Sequence, residues 1–109
     1  MQKLRNAVIT GGSTGIGLAV AKEFLTRGHN VYICSRASDI ASVVTELALK
    51  YGAEKVGGNQ CDVRQLESVE EMVAAAAEKF GEIDTLINNA GIAFVKNFED
   101  INSDQWRSI

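Results

Sequence analysis

Thr10-Gly11-Gly12-Ser13-Thr14-Gly15-Ile16-Gly17 holds four of the chain's ten glycines. It follows a short apolar run, Ala7-Val8-Ile9, and precedes the helix-like segment Leu18-Ala19-Val20-Ala21-Lys22-Glu23-Phe24-Leu25. A glycine-rich turn from a strand into a helix presents free backbone N–H groups and the positive end of the helix dipole. An anion fits there, because glycine lets the backbone come close to it. Gly11 suits the sharp turn out of the strand, Gly15 the approach to a pyrophosphate, and Gly17 close packing of helix on sheet. Ser13 and Thr14 add hydroxyl donors. A P-loop would require Gly-Lys-Ser/Thr at the end of the stretch. Gly17 is followed by Leu18 and Ala19, so that alternative fails.

Outward from this junction, strand-length apolar runs alternate with segments of helical period. Helix one is expected from Gly15 to Arg27, with Ile16, Leu18, Ala19, Val20, Phe24 and Leu25 on its apolar side and Gly28 as its stop. Val31-Tyr32-Ile33-Cys34 reads as strand two. Ser38 is placed to cap helix two, which carries Ile40, Val43, Val44, Leu47 and Tyr51 and ends at Gly52. Strand three runs from Lys55 to about Cys61. Helix three shows Leu66, Val69, Met72, Val73, Ala76, Ala77 and Phe80 on one face and ends at Gly81. Ile83 to Ile87 is strand four. The order β-α-β-α-β-α-β predicts an α/β fold with a parallel sheet and helices on its faces. Right-handed crossovers favour the strand order 3-2-1-4, the first half of a Rossmann-like doubly wound sheet.

The 109 residues are 46% hydrophobic and 23% charged, with no proline and a net charge of −3. Basic residues are scattered, which argues against a nucleic acid partner. No apolar run reaches the roughly 20 residues of a membrane span, and no signal peptide is apparent. Cys34 and Cys61 have no metal-site spacing and fit a reduced, cytoplasmic setting. His29, the one histidine, is expected at the surface in the turn after helix one. Near the C-terminus, Asn102-Ser103-Asp104-Gln105 reads as the start of a fourth helix, and strand four has one edge uncovered. Residues 1–109 are therefore expected to be the N-terminal part of a single dinucleotide-binding domain, cut early in its fourth helix.

Three motifs together carry a resemblance: Thr10 to Gly17, then Cys61-Asp62-Val63, then Asn88-Asn89-Ala90-Gly91. In this order and spacing the chain resembles the short-chain dehydrogenase/reductase family over essentially its whole length. The resemblance implies an oxidoreductase that uses a nicotinamide dinucleotide on a small carbonyl or alcohol substrate, and a homo-oligomer when the chain is complete. It assigns cofactor contacts to Gly11, Ser13, Thr14, Gly15, Ile16 and Gly17. Asp62 would reach the adenine amino group and the Val63 backbone the ring; as a plain turn residue, Asp62 would instead cap the approach to helix three. Asn89, Ala90 and Gly91 would line the cofactor crevice.

The end of strand two discriminates between NAD(H) and NADP(H). An acid there would bind a ribose 2′-hydroxyl and repel a 2′-phosphate, whereas an arginine accepts the phosphate. Here Ser35 stands in the acidic place and Arg36 follows, which resembles the NADP(H)-preferring members. Thr14 is a departure, since some such members carry a basic residue before Gly15. The family's catalytic Ser and its Tyr-x-x-x-Lys pair are not assigned; Tyr32 and Tyr51 fall in strand two and helix two. The remaining alternative is a non-catalytic dinucleotide-binding module that pairs its open edge with a partner chain.

Overall fold

The computed structural model describes residues 4–13, 15–62 and 64–88. In chain order they form β1 (Asn6–Thr10), α1 (Gly15–Thr26), β2 (Asn30–Ser35), α2 (Ile40–Tyr51), β3 (Val56–Gln60), α3 (Leu66–Phe80) and β4 (Thr85–Asn88). The sheet has the order β3-β2-β1-β4, and every neighbouring pair is parallel. The expected Rossmann-like first half, strand order 3-2-1-4, is therefore present. The expected fourth helix lies outside the described residues.

Parallel strands covered on both faces read as unbroken apolar runs, because alternate side chains each meet a helix layer. On one face Val8, Tyr32, Cys34, Cys61 and Leu86 pack with Val69, Met72 and Ala76 of α3. On the other, Ile9, Val31, Ile33, Val56 and Ile87 pack with Ala21 and Leu25 of α1 and Ile40 and Leu47 of α2. Ile9, Ile33 and Leu86 are fully enclosed, and burying each such side chain stabilises the fold by about 1.5–3 kcal/mol.

Three glycines end the helices as their sequence positions imply. Gly28, Gly52 and Gly81 all take positive φ, and Gly52 and Gly81 donate N–H bonds to Ala48 and Ala77 carbonyls. At Gly28 the closure is a Schellman motif: its N–H bonds the Leu25 carbonyl, and the His29 N–H reaches back to Phe24 at 3.0 Å. This corrects the expectation for His29. Its ring packs on Phe24, with centroids 5.5 Å apart, and its Nδ1 accepts the Arg5 N–H. His29 is thus buried, as the residue that follows a Schellman glycine often is.

Two further expectations shift. The sheet-facing positions of α1 are Gly17, Ala21 and Leu25, while Ile16 and Ala19 face outward. Ile16 is 74% exposed, because it sits in the first turn above the sheet rather than over it. Helix two begins after Asp39, not Ser38, and the Asp39 side chain makes no cap bond.

Polar ties hold the two ends of the sheet. At the N-terminal end Asn6 donates to the carbonyls of Phe80 and Glu82 and accepts from Asn30. At the C-terminal end Thr10 Oγ1 donates to Asn88 Oδ1 at 2.8 Å, where both residues are buried. This bond fixes β1 against β4 where the strands deliver their functional loops.

Candidate functional site

In a parallel α/β sheet, ligands bind beyond the carboxyl ends of the strands, where the chain reverses direction between neighbours. Here the chain leaves β1 for β2 on one side and returns to β4 on the other, so the crevice opens above Thr10 and Asn88. The glycine loop emerges at this point. Gly11 has φ 66° and Gly15 φ 57°, values that L residues rarely adopt. Both have the permissive backbone their turn needs. Apart from its chain neighbours and its own helix backbone, no described atom lies within 4 Å of where a Gly15 Cβ would stand. The bare backbone at the start of α1 therefore leaves open space beside the helix N-terminus, as a cradle for a pyrophosphate requires. Gly17 is buried inside the first turn. Thr14 lies outside the described residues.

Gly12 is a site residue that the glycine spacing did not single out. A Cβ there would stand 2.7 Å from Ile33 Cβ and Cγ2. The backbone N–H groups of Gly11 and Gly12 both bond the Cys34 carbonyl, at 2.8 and 3.2 Å. The loop is thus folded down onto the end of β2, and glycine at 12 permits that approach. The signal was there, in the second glycine of a pair directly after a strand.

Folding the loop down brings Ser13 against Ser35. Ser13 Oγ donates to Ser35 Oγ at 3.0 Å, and the Ala37 N–H donates to the same oxygen at 3.0 Å. Ser35 is therefore tied into both turns, and Arg36 stands exposed beside it. Gln60 Nε2 holds the Arg36 carbonyl at 2.8 Å. Arg36, Gln60, Cys61, Asp62 and Ser68 line a depression of about 420 Å³. The structure thus brings together Gly11 and Ser13 on the loop, Gly15, Ile16 and Gly17 in the first turn of α1, and Arg36 and Asp62 in one pocket, joined by Ser35.

Asp62 makes the turn contact of its second reading while lining the pocket that its first reading requires. Its carboxylate accepts the Arg64 backbone N–H at 3.0 Å and the Arg64 guanidinium at 3.0 and 3.1 Å. The side-chain bond to Arg64, then the backbone bond, holds its carboxyl down to about 2. Asp62 is ionised throughout the physiological range and faces the pocket with Arg36. Val63, Asn89, Ala90 and Gly91 lie outside the described residues. Asn88, next to them, is held by Thr10.

Tyr51 and Lys55 have the Tyr-x-x-x-Lys spacing, a coincidence overlooked in the sequence. Helix α2 ends at Tyr51, so the two do not share a helix face. Tyr51 accepts a bond from Thr26, and Lys55 Nζ donates to the Gly28 carbonyl at 3.1 Å. Both stand at the amino ends of the strands, opposite the crevice. Among the described residues, no group of His, Cys, Asp and Glu could hold a metal ion, and no helix is long and apolar enough to cross a membrane.

A doubly wound parallel sheet with a glycine loop at its reversal point defines an α/β protein of the dinucleotide-binding class. Residues 5–109 match the short chain dehydrogenase family, and the chain belongs to it. It is 48% identical over 87 residues to chlorophyll(ide) b reductase NOL of Oryza sativa subsp. japonica, covering 79% of this chain and 25% of that protein. An alcohol dehydrogenase of Thermococcus sibiricus, solved with 5-hydroxy-NADP, superposes with a TM-score of 0.73 at 33% identity, over 94% of this chain and 44% of that one. A family member from Burkholderia phymatum, solved with NAD, gives 0.74 at 31% identity, over 83% and 32%. The chain spans less than half the length of each of these relatives.

Proposed function

We propose that this chain is the cofactor-binding N-terminal part of a single-domain, NADP(H)-dependent carbonyl reductase or alcohol dehydrogenase. Ser35 carries this reading. It stands where an acid would select NAD(H), its oxygen is tied by Ser13 and Ala37, and Arg36 flanks it on the pocket. When bound, the dinucleotide supplies the hydride; the protein's work in this region is binding and orientation. The N–H groups at the start of α1 receive the pyrophosphate, with Ser13 and Thr14 beside them. Arg36 receives the 2′-phosphate as a forked donor. Asp62 and the Val63 backbone hold the adenine end, and Asn89, Ala90 and Gly91 line the ribose side. The matched relatives named for reductase and dehydrogenase activities support the reaction class, and their greater length supports a domain that continues past this region. The catalytic residues, a small carbonyl or alcohol substrate and a homo-oligomeric assembly belong to that larger domain. Two unpaired buried thiols support a reducing, cytoplasmic setting.

The test is Arg36→Ala in the full-length protein, followed by oxidation of the reduced nicotinamide. Loss of the charge-assisted phosphate contact should raise KM for NADPH roughly tenfold or more, at about 1.5–3 kcal/mol for a bond to a charged group. KM for NADH should stay within about twofold. Equal effects on both cofactors would remove the NADP(H) assignment.

A further inference from the structure

Gln60 is the last residue of β3 and stands opposite Ser35, the last residue of β2, in the final rung of their parallel ladder. The chain departs from β2 toward α2 at this point, and the Gln60 side chain follows it: Nε2 donates to the Arg36 carbonyl at 2.8 Å. Gln60 is itself well anchored. Its own carbonyl accepts Asn59 Nδ2 at 2.8 Å, and Asn59 Oδ1 accepts the Tyr32 hydroxyl at 2.7 Å. Tyr32 is buried in the core. A line of hydrogen bonds therefore runs from the core through Asn59 to Gln60 and ends on the backbone of Arg36.

We propose that Gln60 is a specificity-determining positioning residue, which holds the backbone of Arg36 so that its guanidinium stands ready for a ribose 2′-phosphate. This rests on the NADP(H) reading of the pocket and extends it to a residue at the end of β3.

The two peptide units that flank Arg36 are both pinned. In the unit before it, the Ser35 carbonyl accepts the Cys61 N–H at 2.8 Å. In the unit after it, the Arg36 carbonyl accepts from Gln60, and the Ala37 N–H donates to Ser35 Oγ at 3.0 Å. Peptide units are rigid planes. Fixing both planes fixes φ and ψ of Arg36, and with them the direction in which its side chain leaves the chain. A long side chain is ordered when it binds a phosphate, and a backbone already in place lowers the cost of that ordering.

Direction matters because the pocket wall also carries an acid. Arg36, Gln60 and Asp62 line the same depression. Arg64 occupies both oxygens of the Asp62 carboxylate, at 3.0 and 3.1 Å, which leaves the Arg36 guanidinium to a ligand. A dinucleotide with a plain 2′-hydroxyl makes no use of that charge. The hold of Gln60 on Arg36 is therefore felt by NADPH and not by NADH.

Gln60→Met keeps the length of the side chain and removes the donor. Isothermal titration of the full-length protein with NADPH and with NADH compares this variant with the wild type, with Arg36→Ala and with the double variant. Gln60→Met should weaken NADPH binding about three- to fivefold, within the range of one neutral hydrogen bond, and NADH binding by less than about 1.5-fold. In the Arg36→Ala background the same substitution should weaken NADPH by less than about 1.5-fold, because a residue that acts through Arg36 then has nothing to act on. Equal losses for the two dinucleotides would make Gln60 a general support of the pocket and overturn the proposal. A loss that persists in full without Arg36 would overturn it as well, since Gln60 would then touch the cofactor directly. If Arg36→Ala weakens NADPH while Gln60→Met does not, the role of Gln60 alone is refuted. If Arg36→Ala leaves NADPH affinity unchanged, the NADP(H) reading fails and the role of Gln60 with it.

Discussion

Replacing Gly12 with alanine adds one methyl group where the glycine loop meets β2. That carbon would stand 2.7 Å from both Ile33 Cβ and Ile33 Cγ2, and 3.4 Å from the Ile9 carbonyl. Carbon–carbon contacts are favourable only from about 3.5 Å, so the overlap is roughly 0.8 Å. Ile33 cannot yield, because it sits in the central part of β2, paired with Ile9 on one side and Gly58 on the other. The loop must lift instead. Overpacking of this kind costs about 1–3 kcal/mol. Lifting also weakens the Gly11 and Gly12 N–H bonds to Cys34, each worth about 0.5–1.5 kcal/mol net. Against this, alanine restricts the unfolded chain and returns about 0.4–1 kcal/mol, because Gly12 is not among the positive-φ glycines. The expected net loss is about 1–3 kcal/mol. Urea unfolding of the ligand-free full-length protein measures it as a fall in midpoint of roughly 0.5–1.5 M at an unchanged slope. Gly15→Ala is the control: it has open space around it and loses only through its φ of 57°, about 1–2 kcal/mol. Gly12→Ala as stable as the wild type would refute the claim that close approach to Ile33 fixes the loop.

Arg64→Ala removes the guanidinium that holds Asp62. The carboxyl, now at about 2, should rise toward the ordinary range near ~3.9, read by carboxyl-carbon NMR across an acid titration. Because folding depresses this pKa, the Asp62 contribution to stability is complete above the unfolded value and disappears as pH falls through about 2; the variant should lose that dependence. An unmoved titration would mean that Arg64 is not the cause. Thr10→Val removes the bond donated to Asn88, and losing one buried hydrogen bond should cost about 0.5–1.5 kcal/mol in the same urea assay; an unchanged midpoint would show the tie to be unimportant.

Much of the fold was legible because β1 and β2 carry apolar runs and each helix ends in a glycine with positive φ. Val31 to Cys34 could be recognised without knowing what covers it, since a strand buried on both faces needs no alternation. Gly28, Gly52 and Gly81 gave the helix ends directly. The misses concern positions where tertiary packing overrides a local rule. Ile16 is apolar and in helical phase, yet it stands in the first turn above the sheet, where it stays mostly exposed. His29 looked like a surface turn residue because the Schellman closure that folds it back on Phe24 depends on the geometry of Gly28. Ser38 had the chemistry of a cap, but the helix starts one residue later. In the site, Gly11 and Gly15 were readable from their spacing, whereas Gly12 was marked only as the second of a glycine pair, because its role lies in contact with Ile33 some twenty residues on. The closeness of Cys34 and Cys61 was hidden for the same reason: it follows from the β2–β3 register, which composition and spacing do not encode.

The central claim is that the glycine loop and the Ser35–Arg36 corner hold NADP(H). Isothermal titration of the full-length protein with NADPH and with NADH tests it most directly. A 2′-phosphate received by Arg36 and unopposed at Ser35 should make NADPH bind at least about tenfold more tightly, or roughly 1.4 kcal/mol. Tighter binding of NADH, or no binding of either dinucleotide, would contradict it.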